Sequence, residues 1–195
     1  MSTKTLDRAS ARDRLLAAAD ELFYDEGIHT VGIDRVIERA GVAKATLYSV
    51  FGSKDELIRA YLTARHVARQ QRIRSGLARY DTPRERLLGV FDVLGELFAQ
   101  PGFRGCAFLN ASAEASAGSA VAEVSDQSRT WVRSLFTELS QAAGAADPER
   151  LAQQLVLLYD GASVAARMDH DPTAAAAARA VATVLVDAAT GKARG

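Results

Sequence analysis

The sequence predicts an all-α fold of about nine helices, and three observations carry that prediction. Apolar residues recur at helical spacing from Leu15 to Leu185. Strand-like alternation of apolar and polar residues is absent, and so are internal repeats. Three of the four prolines, in Thr82-Pro83, Asp147-Pro148 and Asp171-Pro172, directly follow a residue able to cap a helix.

Ser10-Ala-Arg-Asp13 has the form of a capping box, and Leu15, Leu16, Ala19, Leu22 and Phe23 then line one helical face until Gly27. A short second helix carries Ile33, Val36, Ile37 and Ala40, with Gly41 placed to end it in a left-handed conformation. A third runs from Ala43 or Lys44 to Gly52. Ser53-Lys-Asp-Glu56, a second capping box, opens a long fourth helix through Leu57, Tyr61 and Ala64 towards Leu77. The capped prolines predict helix starts near 83, 148 and 172, while Pro101-Gly102 breaks the helix holding Leu87, Leu88, Phe91, Leu94 and Phe98. Ala107 to Ser116 reads as a short helix. Val121, Val124, Trp131, Val132, Leu135 and Leu139 mark a long one.

Composition narrows the functional class. The chain has 195 residues, 48% hydrophobic and 25% charged, the balance of a water-soluble globular protein. Its net charge is zero, yet residues 1–80 hold 14 Lys and Arg against 10 Asp and Glu, a surplus of +4 that the acidic remainder cancels. A basic first part suits contact with a polyanion. No apolar run is long enough to span a bilayer, and the polar start, Met1 to Arg8, lacks a signal core. One cysteine, Cys106, suits a reducing compartment, and a cytoplasmic protein is expected. His29, His66 and His170 have no metal-ligand spacing, and no nucleophile–base pair or glycine-rich phosphate loop is legible. The sequence therefore predicts no metal, no cofactor and no catalytic residue; Asp169-His170-Asp171-Pro172 sits at a helix break, where Asp171 has capping to do.

The segment from Gly32 to Lys54 meets the requirements of a helix-turn-helix: two short helices, a tight turn at Gly41, an apolar Val42 to pin it and a small Ala40 at the crossing. Leu47 and Phe51, four apart, would face inward, leaving Lys44, Ala45, Thr46, Tyr48 and Ser49 on a polar outer surface suited to a major groove. Taken singly, these residues have plainer roles: Tyr48 could pack and Lys54 could be a solvated lysine. The rival class is a helical scaffold whose helix-turn-helix serves protein contacts.

Ala40-Gly-Val-Ala-Lys-Ala-Thr-Leu-Tyr48, followed by Phe51-Gly-Ser-Lys-Asp-Glu-Leu57, resembles the signature of the TetR family of transcriptional regulators, and the register extends over roughly residues 10–60. The resemblance implies that residues 1–53 form a DNA-binding domain, that helix four (54–79) connects the domains, and that residues 80–195 form an effector-binding and dimerisation domain. It implies that Thr46 and Tyr48 contact bases or phosphates, that Lys44 starts the recognition helix, and that Lys54 meets a phosphate at the start of helix four. Two positions depart from the family pattern. Val50 stands where a histidine or tyrosine is frequent, and Gly32 where a capping hydroxyl is frequent.

The implied partners are double-stranded operator DNA, a small-molecule effector and a second copy of the chain docked through the last two helices, with no membrane involvement. Phe91, Leu94, Phe98, Phe103, Phe108, Asn110, Trp131, Leu135 and Tyr159 are candidate pocket residues, with plain core packing as the alternative for each. The stretch Arg104-Gly-Cys-Ala-Phe-Leu-Asn-Ala-Ser-Ala-Glu114 also resembles a segment of such regulators. Cys106, near that helix start, is a candidate electrophile or redox sensor or, equally, an inert buried thiol.

Overall fold

A computed structural model of the chain describes residues 9–116 and 118–191, so the polar start Met1 to Arg8 lies outside the described residues. Among the described residues there are nine helices and no strand: α1 Ala11–Glu26, α2 Ile33–Ala40, α3 Lys44–Phe51, α4 Lys54–Leu77, α5 Pro83–Phe98, α6 Ala107–Glu114, α7 Ala120–Ala142, α8 Pro148–Met168 and α9 Ala174–Ala189.

The termini form for the reasons the sequence supplies. Ser10 accepts the Asp13 amide at 3.1 Å, and Ser53 accepts the Glu56 amide at 3.1 Å. At Thr82 the capping box is complete: its hydroxyl accepts from the Glu85 amide at 3.2 Å, and the Glu85 carboxylate accepts from the Thr82 amide at 3.0 Å. Those bonds hold the Glu85 carboxyl below the usual carboxylate range. Asp147 caps α8 through the Arg150 amide at 3.0 Å, with Pro148 at the first helical position. The third capped proline behaves differently. Asp171 accepts from the amide of Thr173 at 2.8 Å and its hydroxyl at 2.6 Å, closing a turn of its own, so α9 starts at Ala174 rather than near 172.

The chain divides into two compact units. One takes the residues up to Ala64 together with Asn110–Val124; the other takes Arg65–Leu109 and the chain from Ser125 onward. In the first, α1 packs on α2 and α3 over Leu15, Ala19, Phe23, Val36, Ala40 and Leu47, and Phe23 meets Tyr61 edge-on at 5.7 Å. In the second, α9 packs on both α5 and α8. Its core holds Phe91, Phe136 and Tyr159, with successive ring centroids 5.9 and 6.0 Å apart. Burying each such ring or leucine contributes roughly 1.5–3 kcal/mol, and the single fully buried leucine of α3 thus supplies much of that short helix's anchorage.

Candidate nucleic-acid interface and sensor site

The turn between α2 and α3 is a Schellman motif. Gly41 sits at φ 62°, its amide donates to the Glu38 carbonyl, and the Val42 amide donates to the Ile37 carbonyl, each at 3.1 Å. A side chain at that positive φ would strain the turn, which is why glycine stands there. Arg14 of α1 donates to the Ala40 carbonyl at 3.2 Å, satisfying a C-terminal carbonyl of α2. Arg39 grips Glu21 through two nitrogens at 2.8 and 3.0 Å, and Arg35 reaches Glu26 at 2.9 Å. These pairs are exposed, so they fix geometry more than they add stability. Gly32 makes no side-chain bond at the start of α2.

On α3, Leu47 is wholly buried, whereas Lys44, Ala45, Tyr48 and Ser49 are exposed and Thr46 is half-buried. Tyr48 is 45% exposed, so its ring protrudes rather than packs. Phe51 is only half-buried, with the Arg12 guanidinium 5.5 Å from its ring centre, and Leu47 is the residue that pins the helix. Val50 is exposed too. Lys44 has a partner that sequence spacing did not suggest, Asp34 of α2 at 3.0 Å. The hydrogen bond and attraction to that carboxylate raise the Lys44 ammonium above its ordinary range. Both groups are exposed, and an exposed ion pair of this kind is readily exchanged for a phosphate. Lys54, half-buried at the first position of α4, lies where the helix dipole and free amides favour an anion.

Glu114 has a structural role that the sequence did not reveal. At the end of α6, its carboxylate accepts the His29 amide at 3.0 Å, and its backbone carbonyl lies 2.8 Å from His29 Nε2. Gly27, at φ 97°, leaves room for this contact: an added Cβ would stand 3.0 Å from the Glu114 carboxylate. Arg59 of α4 likewise pairs with Glu123 of α7 at 2.7 Å. The turn between α1 and α2 is therefore held by the end of α6. The signal available in sequence was the place of Glu114 at the close of the stretch that resembles a segment of TetR-family regulators, which gave no partner for it.

The candidate sensor residues fall into three groups. Phe91, Leu94 and Phe98 are buried in the second unit's core, with Leu135 and Phe103 packed against it and the Phe103 ring tilted at 45° to Phe98, 4.9 Å between centres. Asn110 belongs to the first unit. Cys106 and Phe108 meet a polar group from α4 that the sequence did not single out, while Tyr159 lies in the second unit's core and Trp131 packs against it. Arg69 donates from Nη2 to the Cys106 sulfur at 3.0 Å and from Nη1 to the Ser128 hydroxyl at 3.1 Å, and its guanidinium lies 4.5 Å from the Phe108 ring centre. Burial opposes the Arg69 charge, while the hydrogen bond to Cys106 and the field of the Asp160 carboxylate favour it. Burial likewise pushes the Tyr159 hydroxyl up. One turn before Arg69, His66 stands edge-on to Trp131 at 6.0 Å and Phe108 at 6.4 Å. No group of His, Cys, Asp or Glu among the described residues could hold a metal ion, and no described helix is long and apolar enough to cross a membrane.

A short helix pinned from beneath and polar on its outer face, joined by a glycine turn to a helix it crosses, defines a helix-turn-helix DNA-binding protein. The comparisons with known proteins make the class specific. Residues 15–61 match the bacterial regulatory proteins of the tetR family, and residues 83–182 match the tetracyclin repressor-like C-terminal domain. A TetR-family transcriptional regulator from Streptomyces coelicolor, solved by crystallography, is 34% identical and superposes with a TM-score of 0.87, covering 92% of this chain and 96% of that one. The Escherichia coli transcriptional repressor NemR is 28% identical over 178 residues, 82% of this chain and 85% of NemR. The Mycolicibacterium smegmatis transcriptional activator FasR is 50% identical over 62 residues, which span 32% of this chain and 28% of FasR. The chain belongs to the TetR family of bacterial regulators. It is a DNA-binding transcriptional regulator, not an enzyme.

Proposed function

We propose that this regulator is a ligand-responsive repressor whose two copies set their α3 helices into successive major grooves of a palindromic operator, about 34–36 Å apart. One observation carries the reading: α3 turns Lys44, Ala45, Tyr48 and Ser49 outward over a single buried leucine, with Thr46 at the rim. In this reading that ridge selects bases, while Lys54 and Lys44 engage phosphates and make binding salt-dependent. Residues 1–53 are the DNA-binding domain, 54–79 the connecting helix, and 80–195 the effector-binding and dimerisation domain. Likeness to NemR over most of both chains favours repression, and work on chromosomal DNA favours the cytoplasm.

For the dimer we favour α8 and α9. Residues 157, 161, 164 and 168 on α8, and 177, 181, 184 and 188 on α9, are all exposed and all apolar or glycine. Leu157 is 65% exposed and Val184 63%, an apolar surface that a lone chain leaves in water. Each stripe repeats at alternating steps of four and three, the spacing that lets paired helices interdigitate in a four-helix interface. Effector binding would act through α6, which carries Phe108 near one end and Glu114 at the other; the effector must bind the non-operator conformer more tightly to do so. A thiol sensor at Cys106 is a second reading, supported by the Arg69 hydrogen bond to its sulfur. Alkylation that leaves operator affinity unchanged removes it.

The decisive test of the main reading is operator titration of Tyr48→Ala and Lys54→Ala. Both should bind DNA more weakly while staying folded. Unchanged affinity in the pair would favour the scaffold alternative.

A further inference from the structure

The cluster around Arg69 has a consistent chemical bias: it offers hydrogen-bond donors and little to receive them. A guanidinium carries five N–H groups, and among the described residues those of Arg69 reach a thiol sulfur and a hydroxyl, at 3.0 and 3.1 Å. Among the described residues Arg69 pairs with no carboxylate, in contrast to Arg84, Arg129 and Arg179 of the same unit. Asp160, whose charge Arg69 feels, is taken by Arg129 at 2.6 Å.

Three polar side-chain atoms are buried with no hydrogen-bond partner among the described residues; one is the Ser140 hydroxyl, and the other two share α7 and α4 with Ser128 and Arg69. Of that pair, one is the hydroxyl of Ser125, a residue only 8% exposed and one helical turn before Ser128 on α7. The other is His66 Nδ1, one turn before Arg69 and Gln70 on α4. Gln70 Nε2 lies 2.8 Å from His66 Nε2, and with that amide donating, Nε2 accepts and Nδ1 carries the ring proton, the tautomer that the proposed site requires. Burial, and then the Arg69 charge, lower the His66 pKa, which keeps the ring neutral in that tautomer. Leaving a buried donor unsatisfied is costly, and proteins tolerate it where something else completes the bond. Around these donors stand flat apolar surfaces, Phe108 and Trp131, each edge-on to His66.

We propose that this cluster binds a small aromatic carboxylate, with its oxygens on Arg69, the Ser125 hydroxyl and His66 Nδ1–H, and its ring among Phe108, Trp131 and His66. The inference rests on the reading of the C-terminal half as the effector domain. An anion supplies the acceptors that a neutral ligand lacks, and Arg69 is suited to grip a carboxylate with two parallel bonds. A flat guest enters by parting the edge contacts of His66, and Phe108 carries that displacement into α6.

Trp131 is the only tryptophan in the chain, so its emission reports on this site directly. The test titrates the full-length protein, without DNA, with benzoate and phenylacetate and with their methyl esters. The expected result is a saturable change in emission, with each acid bound at least tenfold more tightly than its ester. Arg69→Gln should erase that preference, and Arg69→Lys should restore part of it. Equal binding of acid and ester, no saturable change with either acid at millimolar concentration, or an undiminished preference in Arg69→Gln would overturn the proposal. So would a crystal grown with benzoate that shows only water at Ser125 and His66. Operator release is scored separately by adding benzoate to the protein–operator complex. Acid binding without release upholds the site's chemistry and counts against the effector reading, whereas release by a neutral compound, with no acid bound, does the reverse.

Discussion

The outer face of α3 and the interior around Arg69 both collect polar side chains, but they do so under opposite conditions. On α3 the groups stand in water above one buried leucine, so they cost the fold nothing, and what they recognise can change without touching stability. Around Arg69 the polar atoms are turned inward, and Ser125 and His66 bury groups that no neighbour satisfies. Each such orphan costs up to about 3 kcal/mol, least for a small hydroxyl, until a ligand or water completes it. Stability and recognition are thus separable in the first region and coupled in the second. A reader of DNA gains from the first arrangement. A sensor gains from the second, because a ligand that repairs the defect shifts the balance between conformers.

Experiments can sharpen or break that contrast, from the largest effect down. Splitting the dimer should matter most. Leu157→Asp combined with Val184→Asp puts two charges into the proposed apolar stripe, and operator affinity should fall by about 10²–10⁴ as the second half-site is lost. Sedimentation should show a monomer in parallel; a dimer that persists with both charges present would place the interface elsewhere.

Next comes the anchor. Leu47→Ala should cost about 2–5 kcal/mol in urea unfolding, whereas Tyr48→Ala, its exposed neighbour, should stay within about 0.5 kcal/mol of the parent. Equal losses would mean that α3 does not separate the two roles. A smaller effect is expected at Lys54, where alanine should reduce the slope of log affinity against log salt by about 0.9 per subunit if that lysine neutralises one phosphate. Smallest of all, Ser125→Ala should leave stability unchanged or raise it by up to about 1 kcal/mol, since it removes a buried hydroxyl with no partner. A clear loss would show that Ser125 is satisfied in solution and would weaken the donor argument.

What the sequence revealed follows the same division. The helix-turn-helix was legible because its determinants are local: Gly41 for a left-handed cap, Leu47 for the anchor and Ser53 for the next helix start all lie within about four turns of one another. Thr82-Pro83 and Asp147-Pro148 were legible for the same reason. Asp171 shows the limit of such reasoning, because its carboxylate can serve a helix or a tight turn with equally local bonds, and Thr173 drew it to the turn. The long-range contacts on which the proposed sensing rests were out of reach. His29 and Glu114 are 85 positions apart, and Arg69 meets Ser128 across 59. A hint did exist, since His66, Arg69 and Gln70 share one helical face on α4, as Ser125 and Ser128 do on α7. Polar residues repeating on a face that ought to be core are the pattern to look for.

The most direct test of the central claim is selection of bound sequences from a random duplex library by the intact protein. The account predicts an enriched inverted repeat, with half-sites about one helical turn apart and changes at Thr46 or Ser49 altering the preferred base symmetrically in both. Enrichment of a single asymmetric site, or of none, would contradict it.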